Sequence, residues 1–220
     1  MDVATHNVQN GKFTVRVISD DQYIGRLIQN GYEWDGWMRI DLPQITTPVK
    51  DIIDIGGNIG WNALMFSDYA PVHTFEPWFH PIIRSNIDQN TTQFPITLHP
   101  YGLSSENTES DFWLYPHTGD VCNYGGASLH GASDYTKAPS RVQLRRLDDV
   151  YSGTPGLIKI DVEGHECEVL KGAEQTIRRH RPFLYVELFD FDRNPATEYI
   201  RHLGYTQFVK RPEHNYLCLP

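Results

Sequence analysis

Four acidic residues stand at the ends of short apolar runs, and they are the side chains of this chain best placed to bind a ligand or move a proton. They are Asp54, Glu76, Asp161 and Glu187. The apolar runs predict buried strands, and open sheets of parallel strands bind ligands outside the carboxyl ends of the strands. Acids are rarely buried without a partner, so we expect the four carboxylates to converge on one crevice.

A glycine-rich turn, Gly56-Gly57-Asn58-Ile59-Gly60, joins the first of these strands to a helix that begins near Trp61. A strand, a glycine turn and a helix in this order present backbone N–H groups to a nucleotide-like ligand. Asp54 lies just before the turn, where its carboxylate would repel a pyrophosphate and attract a cationic amino-acid group. S-adenosylmethionine has such a group and no phosphate, so the turn predicts this cofactor.

Glu76 lies roughly 20 residues after the turn, the spacing at which an acid meets ribose hydroxyls in nucleotide sites. A carboxylate can accept hydrogen bonds from both hydroxyls at once. The same residue, followed by Pro77, could instead cap the next helix. The preceding glycine turn favours the ribose interpretation, and we place both residues in the cofactor site.

If this cofactor reacts with a hydroxyl, the attack benefits from removal of the hydroxyl proton. The candidate bases are Asp161, His165 and Glu187, and Asp161 is favoured as the base or as the group that orients the acceptor because it ends the central strand. His165 belongs to a residue type whose ordinary pKa suits a base, although a histidine in the first helical turn is more often structural.

Asp161 and Glu187 could also hold Mg²⁺ or Mn²⁺, since these ions prefer oxygen ligands. Such an ion would orient and acidify the acceptor hydroxyl. We do not favour a metal, because no third protein ligand stands out in the sequence.

The elements that must position these residues alternate between strands and helices. Strands are expected near residues 49–55, 71–76, 95–101, 157–161 and 183–188, helices near 60–69, 78–90, 166–180 and from Asn194 onward, and a terminal strand pair near 205–209 and 215–219. This alternation predicts an α/β fold with a doubly wound, mostly parallel sheet. An antiparallel strand is expected at its C-terminal end.

The chain is interpreted as one domain, in which residues 1–45 form an N-terminal cover, with the first forty residues irregular, and 46–220 form the catalytic core that binds the cofactor. Residues 111–115 alternate like an edge strand. Residues 117–139 are rich in Gly, Ser, Asn, Thr and Asp, which favours a long functional loop. Aromatic residues of the cover and this loop, among them Trp34, Tyr115 and Tyr135, could form a wall for a sugar.

The composition limits which binding partners and which cellular compartment we expect for this protein. A formal net charge of −9 disfavours a nucleic-acid partner. The three cysteines are scattered and form no C-x-x-C pair, so a structural zinc site is not expected and a reduced compartment fits best. The N-terminus lacks a secretory pattern and no apolar run could span a bilayer, which predicts a cytoplasmic protein.

The segment from Ile158 to Ala173 reads I-K-I-D-V-E-G-H-E-C-E-V-L-K-G-A. Together with 54–60 and 74–77, and with shorter agreeing pieces at 126–129, 146–150 and 182–187, it resembles the FkbM family of S-adenosylmethionine-dependent methyltransferases. The resemblance implies a Rossmann-like class I methyltransferase that transfers a methyl group to an oxygen, often a sugar hydroxyl.

The resemblance also implies roles for individual residues. Gly56, Asn58 and Gly60 would approach the methionine part of the cofactor, with Asp54 near its ammonium group. The positions assigned to the cofactor are Glu33, Asp54, Gly56, Asn58, Gly60, Asn62, Glu76, Pro77, Tyr101, Gly102 and Asp161. Glu33 stands at the acidic position before the first strand, and Tyr101 and Gly102 lie on the adenine side. Gly57 replaces a frequent alanine, which we expect to have no effect.

The main hypothesis is therefore a methyltransferase that uses S-adenosylmethionine and acts on a hydroxyl of a sugar or glycan. An NAD-dependent dehydrogenase would need the spacing G-x-G-x-x-G, which the turn lacks. A nucleic-acid methyltransferase would need an Asn-Pro-Pro-aromatic motif and a basic face. A small-metabolite methyltransferase and a non-catalytic module that binds the cofactor or a glycan stay open, because binding and catalysis share residues.

Overall fold

The computed structural model describes residues 3–114, 122–130 and 140–220. The strands are β1 (Thr5–Asn10), β2 (Phe13–Ile18), β3 (Asp51–Ile55), β4 (Val72–Phe75), β5 (Ile96–His99), β6 (Gly102–Leu103), β7 (Thr108–Phe112), β8 (Ser140–Arg145), β9 (Pro155–Ile160), β10 (Phe183–Glu187), β11 (Gln207–Lys210) and β12 (Asn215–Leu219). The α-helices are α1 (Ile24–Gln29), α2 (Leu42–Ile45), α3 (Trp61–Phe66), α4 (His80–Asp88), α5 (Leu147–Val150), α6 (Glu166–Gly172), α7 (Glu174–His180) and α8 (Pro195–His202).

The main sheet has seven strands in the order β11-β12-β10-β9-β3-β4-β5. The run from β10 to β5 is parallel, whereas β12 pairs antiparallel with both β10 and β11. The predicted α/β fold with a mostly parallel sheet and an antiparallel C-terminal strand is thus confirmed. This order places β3 and β9 side by side at the centre, where Asp54 within β3 pairs with Lys159 of β9.

The central strands are apolar because helices cover the sheet on both faces. All six residues of β9 are buried, and Ile53, Ile160 and Leu184 pack in one core with the apolar face of α6. Lys159 is the one charged residue within β9, and only 2% of its surface is exposed. A buried cation in a central strand requires nearby carboxylates.

The prediction that the first forty residues are irregular is wrong. β1 and β2 form an antiparallel hairpin, and Phe13, Val15 and Val17 alternate into a core. The side chain of Asn86 on α4 fixes this hairpin, because its Oδ1 accepts from the N–H of Arg16 at 2.6 Å and its Nδ2 donates to the Arg16 carbonyl at 3.1 Å. The cover is therefore a folded layer anchored to the helix that follows β4.

A second sheet of three strands has the order β6-β8-β7. It contains the predicted edge strand, which lies at Thr108–Phe112 and pairs antiparallel with β8. Of the predicted loop 117–139, the structure describes only 122–130, which we call the covering segment. Its Ser128 Oγ donates to the carbonyl of Glu163 at 2.9 Å, which ties the segment to the end of β9. The remainder of the loop, with Tyr115 and Tyr135, lies outside the described residues.

The predicted helix 166–180 is two helices, α6 and α7, which meet at Ala173. The break follows Gly172, where a Cβ atom would lie 1.9 Å from the carbonyl oxygen of Ser104. The helix can approach the chain after β6 only because this residue is glycine. Among the helices that the structure describes, none is long and apolar enough to cross a membrane.

Candidate active site

One cleft opens at the carboxyl ends of β3, β4, β9 and β10. Glu76, Asp161 and Glu187 line it together with His165. These residues are far apart in the sequence, and the parallel register of the strands brings them to one edge of the sheet. Three of the four strand-end acids thus share this cleft, whereas Asp54 lies behind its wall.

The glycine turn forms one wall of the cleft. Gly56 has a φ of 85°, a left-handed conformation that favours glycine, and a Cβ atom on it would lie 1.8 Å from the carbonyl oxygen of Asp161. A Cβ on Gly57 would lie 2.3 Å from Thr74 Oγ1, a hydroxyl that donates to Asp54. An alanine at this position would therefore require the Thr74 side chain to move.

The backbone N–H groups of residues 56–60 are all engaged within the protein. Two of them donate to the carbonyl of Phe75, at 3.1 and 3.2 Å, and two donate to atoms inside the turn, at 2.7 and 2.8 Å. The fifth, on Asn58, donates to Glu76 Oε2 at 3.1 Å. The turn therefore leaves none of its own N–H groups for a phosphate, and a carboxylate already occupies an anion position beside it.

Glu76 holds the turn and the start of α4 together. Its Oε1 accepts hydrogen bonds from the N–H groups of Trp78 at 2.8 Å and Phe79 at 3.0 Å. Burial raises the pKa of this carboxyl to about 7, although these backbone donors act to lower it. A carboxylate has about four acceptor positions, and three are used, so one acceptor position remains for a ligand hydroxyl. The capping and ligand-binding interpretations are compatible.

Lys159 lies between Asp54, which is buried behind the cleft, and Asp161, which lines it. Its Nζ lies 3.0 Å from Asp161 Oδ2 and 3.9 Å from Asp54 Oδ1. Asp54 is fully buried, and burial raises its pKa to about 6 against the opposing effects of Lys159 and of the Thr74 hydroxyl, 3.0 Å away. Asp54 therefore lies behind the cleft wall. It does not line the cleft, where the sequence analysis expected it to lie beside an ammonium group.

Asp35, which the sequence analysis missed, lies behind the cleft wall and contacts Asn62, which lines the cleft. Glu33 pairs with Arg39 at 2.9 Å and does not line the cleft. Asp35 is 9% exposed, and its Oδ2 accepts from Asn62 Nδ2 at 2.9 Å. Burial raises the pKa of Asp35, while the charge of Lys159 acts to lower it. Asp35 has a positive φ of 52°, and no periodic pattern in the sequence indicates that this residue lies near the site.

Asn62 lines the cleft at the start of α3. It is 7% exposed, and its Oδ1 has no hydrogen-bond partner among the described residues. An unpaired buried acceptor costs free energy unless a ligand or water supplies a donor. Asn62 therefore marks a place where a donor group, such as an ammonium, would bind.

The opposite part of the cleft is apolar. Its lining includes Gly102, Leu103, Phe112 and Leu144, and a flat aromatic base would fit against such a surface. Tyr101 does not line the cleft. Its hydroxyl lies 3.2 Å from His99 Nδ1 and its ring packs on Phe75.

A cluster of three carboxyl groups lies at the end of β9 and β10. Oxygens of Asp161, Glu163 and Glu187 lie within 4.8 Å of one another. Glu163 was absent from the predicted site and supplies the third carboxylate. Lys159 already provides a cation beside Asp161, so we assign no metal to the cluster.

Glu187 Oε2 is enclosed and has no hydrogen-bond partner among the described residues. Burial, followed by the negative charges of Asp161 and Glu163, raises the pKa of Glu187 to about 10. The side chain therefore holds a proton at neutral pH. A protonated carboxyl cannot accept another proton, so this shift argues against Glu187 as the base, a role that stays a prediction.

His165 lies at the other side of the cluster. Its Nε2 is 2.9 Å from Ser104 Oγ, and its Nδ1 is buried without a partner among the described residues. Burial, with a smaller contribution from His130, lowers the pKa of His165 to about 4. The imidazole is therefore neutral at neutral pH.

Glu187→Gln is expected to change how stability depends on pH. In the unfolded chain this carboxyl ionises near its ordinary pKa, but in the folded protein only near 10, so wild type loses stability as pH rises between those values. The variant lacks this loss. Its free energy of unfolding relative to wild type should rise from pH 5 to pH 9, by less than the limiting slope of about 1.4 kcal/mol per pH unit.

Urea unfolding at several pH values measures this difference. The matched control is Glu106→Gln, which removes an exposed carboxyl and should keep the wild-type pH dependence. Parallel curves for Glu187→Gln and wild type would contradict the assignment of a protonated Glu187.

Comparison with known proteins places the chain among methyltransferases. The family model described as the Methyltransferase FkbM domain matches residues 54–211. Hexuronic acid methyltransferase AglP of Haloferax volcanii is 33% identical over 141 residues, which cover 61% of this chain and 54% of that protein. Methyltransferase 1 of Beauveria bassiana is 26% identical over 192 residues, covering 74% of each chain. The chain thus spans about half the length of the first relative.

Solved structures share the fold. Methyltransferase FkbM from Methylobacillus flagellatus KT aligns with a TM-score of 0.53 at 20% identity, over 78% of this chain and 44% of that chain. Trm5b from Pyrococcus abyssi aligns with a TM-score of 0.50 at 11% identity, over 99% of this chain and 56% of that chain. At these identities the likeness shows the architecture alone.

Proposed function

This chain belongs to the FkbM family of methyltransferases, and from that premise we propose that it transfers a methyl group from S-adenosylmethionine to a hydroxyl of a sugar or glycan. The choice of cofactor rests on the hydrogen bonds that the backbone N–H groups of the glycine turn make within the protein. All N–H groups of residues 56–60 are bonded within the protein, one of them to the carboxylate of Glu76. A pyrophosphate would find neither donors nor a favourable potential there, which argues against a dinucleotide.

The described residues fit S-adenosylmethionine. Asn62 Oδ1, which has no partner among the described residues, would accept a hydrogen bond from the ammonium group. The Asn62 side chain is held in place because its Nδ2 donates a hydrogen bond to Asp35 Oδ2. Glu76 keeps one acceptor position for a ribose hydroxyl, and the apolar wall around Leu103 and Leu144 would hold the base. In this assignment Asp35 takes the role that the sequence analysis gave to Glu33.

The bound cofactor supplies a methyl group that its sulfonium has already activated. What remains for the protein is to align the acceptor oxygen, and alignment of this kind can lower a barrier by about 7 kcal/mol or more. The carboxyl cluster at Asp161 would orient the acceptor hydroxyl, and Lys159 holds the Asp161 carboxylate in place through a hydrogen bond of 3.0 Å. The covering segment, bonded to Glu163 and to Asn58, would limit the entry of water.

A sugar acceptor is supported by two observations. The relative AglP is named for methylation of a hexuronic acid, and Trp34 lines the cleft, where an aromatic face could pack on the C–H surface of a sugar. No nucleic-acid acceptor is proposed, because the chain has a formal net charge of −9.

Binding of S-adenosylhomocysteine tests the cofactor. At 100 times its dissociation constant a ligand adds about 2.7 kcal/mol to stability, so we expect the melting temperature to rise by roughly 5–10 °C. NAD at equal concentration should leave it unchanged. A larger rise with NAD, or no binding of S-adenosylhomocysteine by calorimetry, would overturn the proposal.

Methyl transfer tests the acceptor. Purified protein with labelled S-adenosylmethionine should label a member of a panel of neutral sugars, uronic acids and oligosaccharides. Transfer to a nucleic acid or a small phenol in the same assay, with none to any sugar, would reject the carbohydrate assignment.

A further inference from the structure

Four groups of the cleft could receive the proton that an acceptor hydroxyl loses: Asp161, Glu163, His165 and Glu187. The inference that follows rests on the proposed methyl transfer to a hydroxyl. It concerns which of the four takes the proton.

Three of these groups are less suited to take up the proton, because of their hydrogen bonds or their protonation. Asp161 Oδ2 already accepts a hydrogen bond from Lys159 Nζ at 3.0 Å, so the lysine holds this oxygen. Glu187 is enclosed without a partner and holds a proton at neutral pH. His165 is bonded to Ser104, and its lowered pKa leaves it a poor proton acceptor.

Glu163 is held differently. Its φ is 52° and that of the next residue, Gly164, is 95°. A left-handed non-glycine residue costs of order 1–3 kcal/mol and persists only where its surroundings fix it. Two contacts fix this one: Ser128 Oγ donates to its carbonyl at 2.9 Å, and the N–H of Gly164 donates to Glu166 Oε1 at 2.9 Å.

This backbone places the Glu163 side chain on the cleft wall, with a carboxylate oxygen within 4.8 Å of oxygens of Asp161 and Glu187. The structure gives that carboxylate no hydrogen bond from the described residues. Among the described residues, it is the carboxyl of the cluster that has neither an ion pair at 3.0 Å nor an enclosed oxygen without a partner.

We propose that Glu163 is the proton acceptor of the reaction. As the acceptor oxygen forms its bond to the methyl carbon, the carbon–sulfur bond breaks, its electron pair stays on sulfur, and the hydroxyl proton passes to the Glu163 carboxylate and then to solvent. Burial, followed by the charges of Asp161 and Glu166, raises the pKa of Glu163 to about 7. A base with a pKa near the working pH is efficient in both taking up and releasing the proton.

The first test needs no acceptor. Infrared difference spectra of the full chain, recorded as pH is raised from 5 to 9, should show Asp54 losing its proton near pH 6 and both Glu76 and Glu163 losing theirs near pH 7. The signal near pH 7 should lose the contribution of one carboxyl in Glu163→Gln and stay unchanged in the control Glu106→Gln. A signal near pH 7 in Glu163→Gln equal to that of wild type would overturn the assignment.

The second test uses turnover. Glu163→Gln should slow methyl transfer about 100-fold or more, and Glu163→Asp should restore part of the rate, while the affinity for S-adenosylhomocysteine stays within about threefold of wild type. A rate for Glu163→Gln close to wild type would reject the role. A wild-type protein that binds S-adenosylhomocysteine but methylates no sugar would contradict the proposed function instead, and the infrared titration would still decide whether Glu163 accepts a proton near neutral pH.

Discussion

Lys159→Met is expected to lower the free energy of unfolding by about 3–5 kcal/mol at neutral pH, the usual effect of removing one partner of a buried ion pair. Lys159 is 2% exposed, and its Nζ lies between Asp161 Oδ2 at 3.0 Å and Asp54 Oδ1 at 3.9 Å. Burial alone would lower the pKa of this lysine, but the carboxylates of Asp161, Asp54 and Asp35 raise it above its usual value. The lysine therefore stays charged, and methionine would leave buried carboxylates without a cation.

The loss of unfolding free energy in Lys159→Met should be smaller below pH 6. Asp54 has a pKa of about 6, and a protonated carboxyl is destabilised little when the neighbouring cation is removed. Urea unfolding at pH 5 and pH 8 measures both values. Lys50→Met removes an exposed lysine and should change stability by less than about 0.5 kcal/mol. Adding Asp54→Asn to Lys159→Met should recover part of the loss. A deficit under about 1 kcal/mol, equal at both pH values, would contradict the buried ion pair.

The sheet could be predicted from the sequence because its signals are local. Each central strand is an apolar run bounded by turn residues, and the alternation with helices implies parallel order. The N-terminal hairpin had a signal of the same kind that was overlooked. Asn10-Gly11 precedes alternating Phe13, Val15 and Val17, a pattern that favours a hairpin. The break at Ala173 had no local signal, because it depends on the approach of Gly172 to Ser104.

The site was predicted only in part, for a physical reason. The turn and Glu76 are recognisable because their roles depend on short sequence spacings. The state of a carboxyl depends instead on neighbours brought from other strands. Asp54 and Asp161 follow similar apolar runs, yet Lys159 reaches both and only one lines the cleft. Glu163 resembles a helix-capping acid until its left-handed backbone is known.

Glu76→Gln is expected to weaken binding of S-adenosylhomocysteine by roughly 100-fold and to lower the melting temperature. The two oxygens of Glu76 accept from the N–H groups of Trp78, Phe79 and Asn58, and hydrogen bonds to a charged group contribute about 1.5–3 kcal/mol each. Glutamine keeps one acceptor oxygen, so its NH₂ group must face at least one backbone donor. Either the start of α4 or the glycine turn must move.

Affinity and stability separate the two consequences of this change. If Glu76 only capped α4, Glu76→Gln would lose stability yet bind S-adenosylhomocysteine normally below its melting temperature. If Glu76 holds the turn and also binds a ribose hydroxyl, calorimetry below the melting temperature of the variant should show the whole loss of roughly 100-fold in affinity. A ligand that lacks the ribose hydroxyls should then bind wild type and variant with more similar affinities. The exposed carboxyl variant Glu106→Gln should match wild type in both measurements. An affinity within threefold of wild type would leave Glu76 as a helix cap and remove it from the cofactor site.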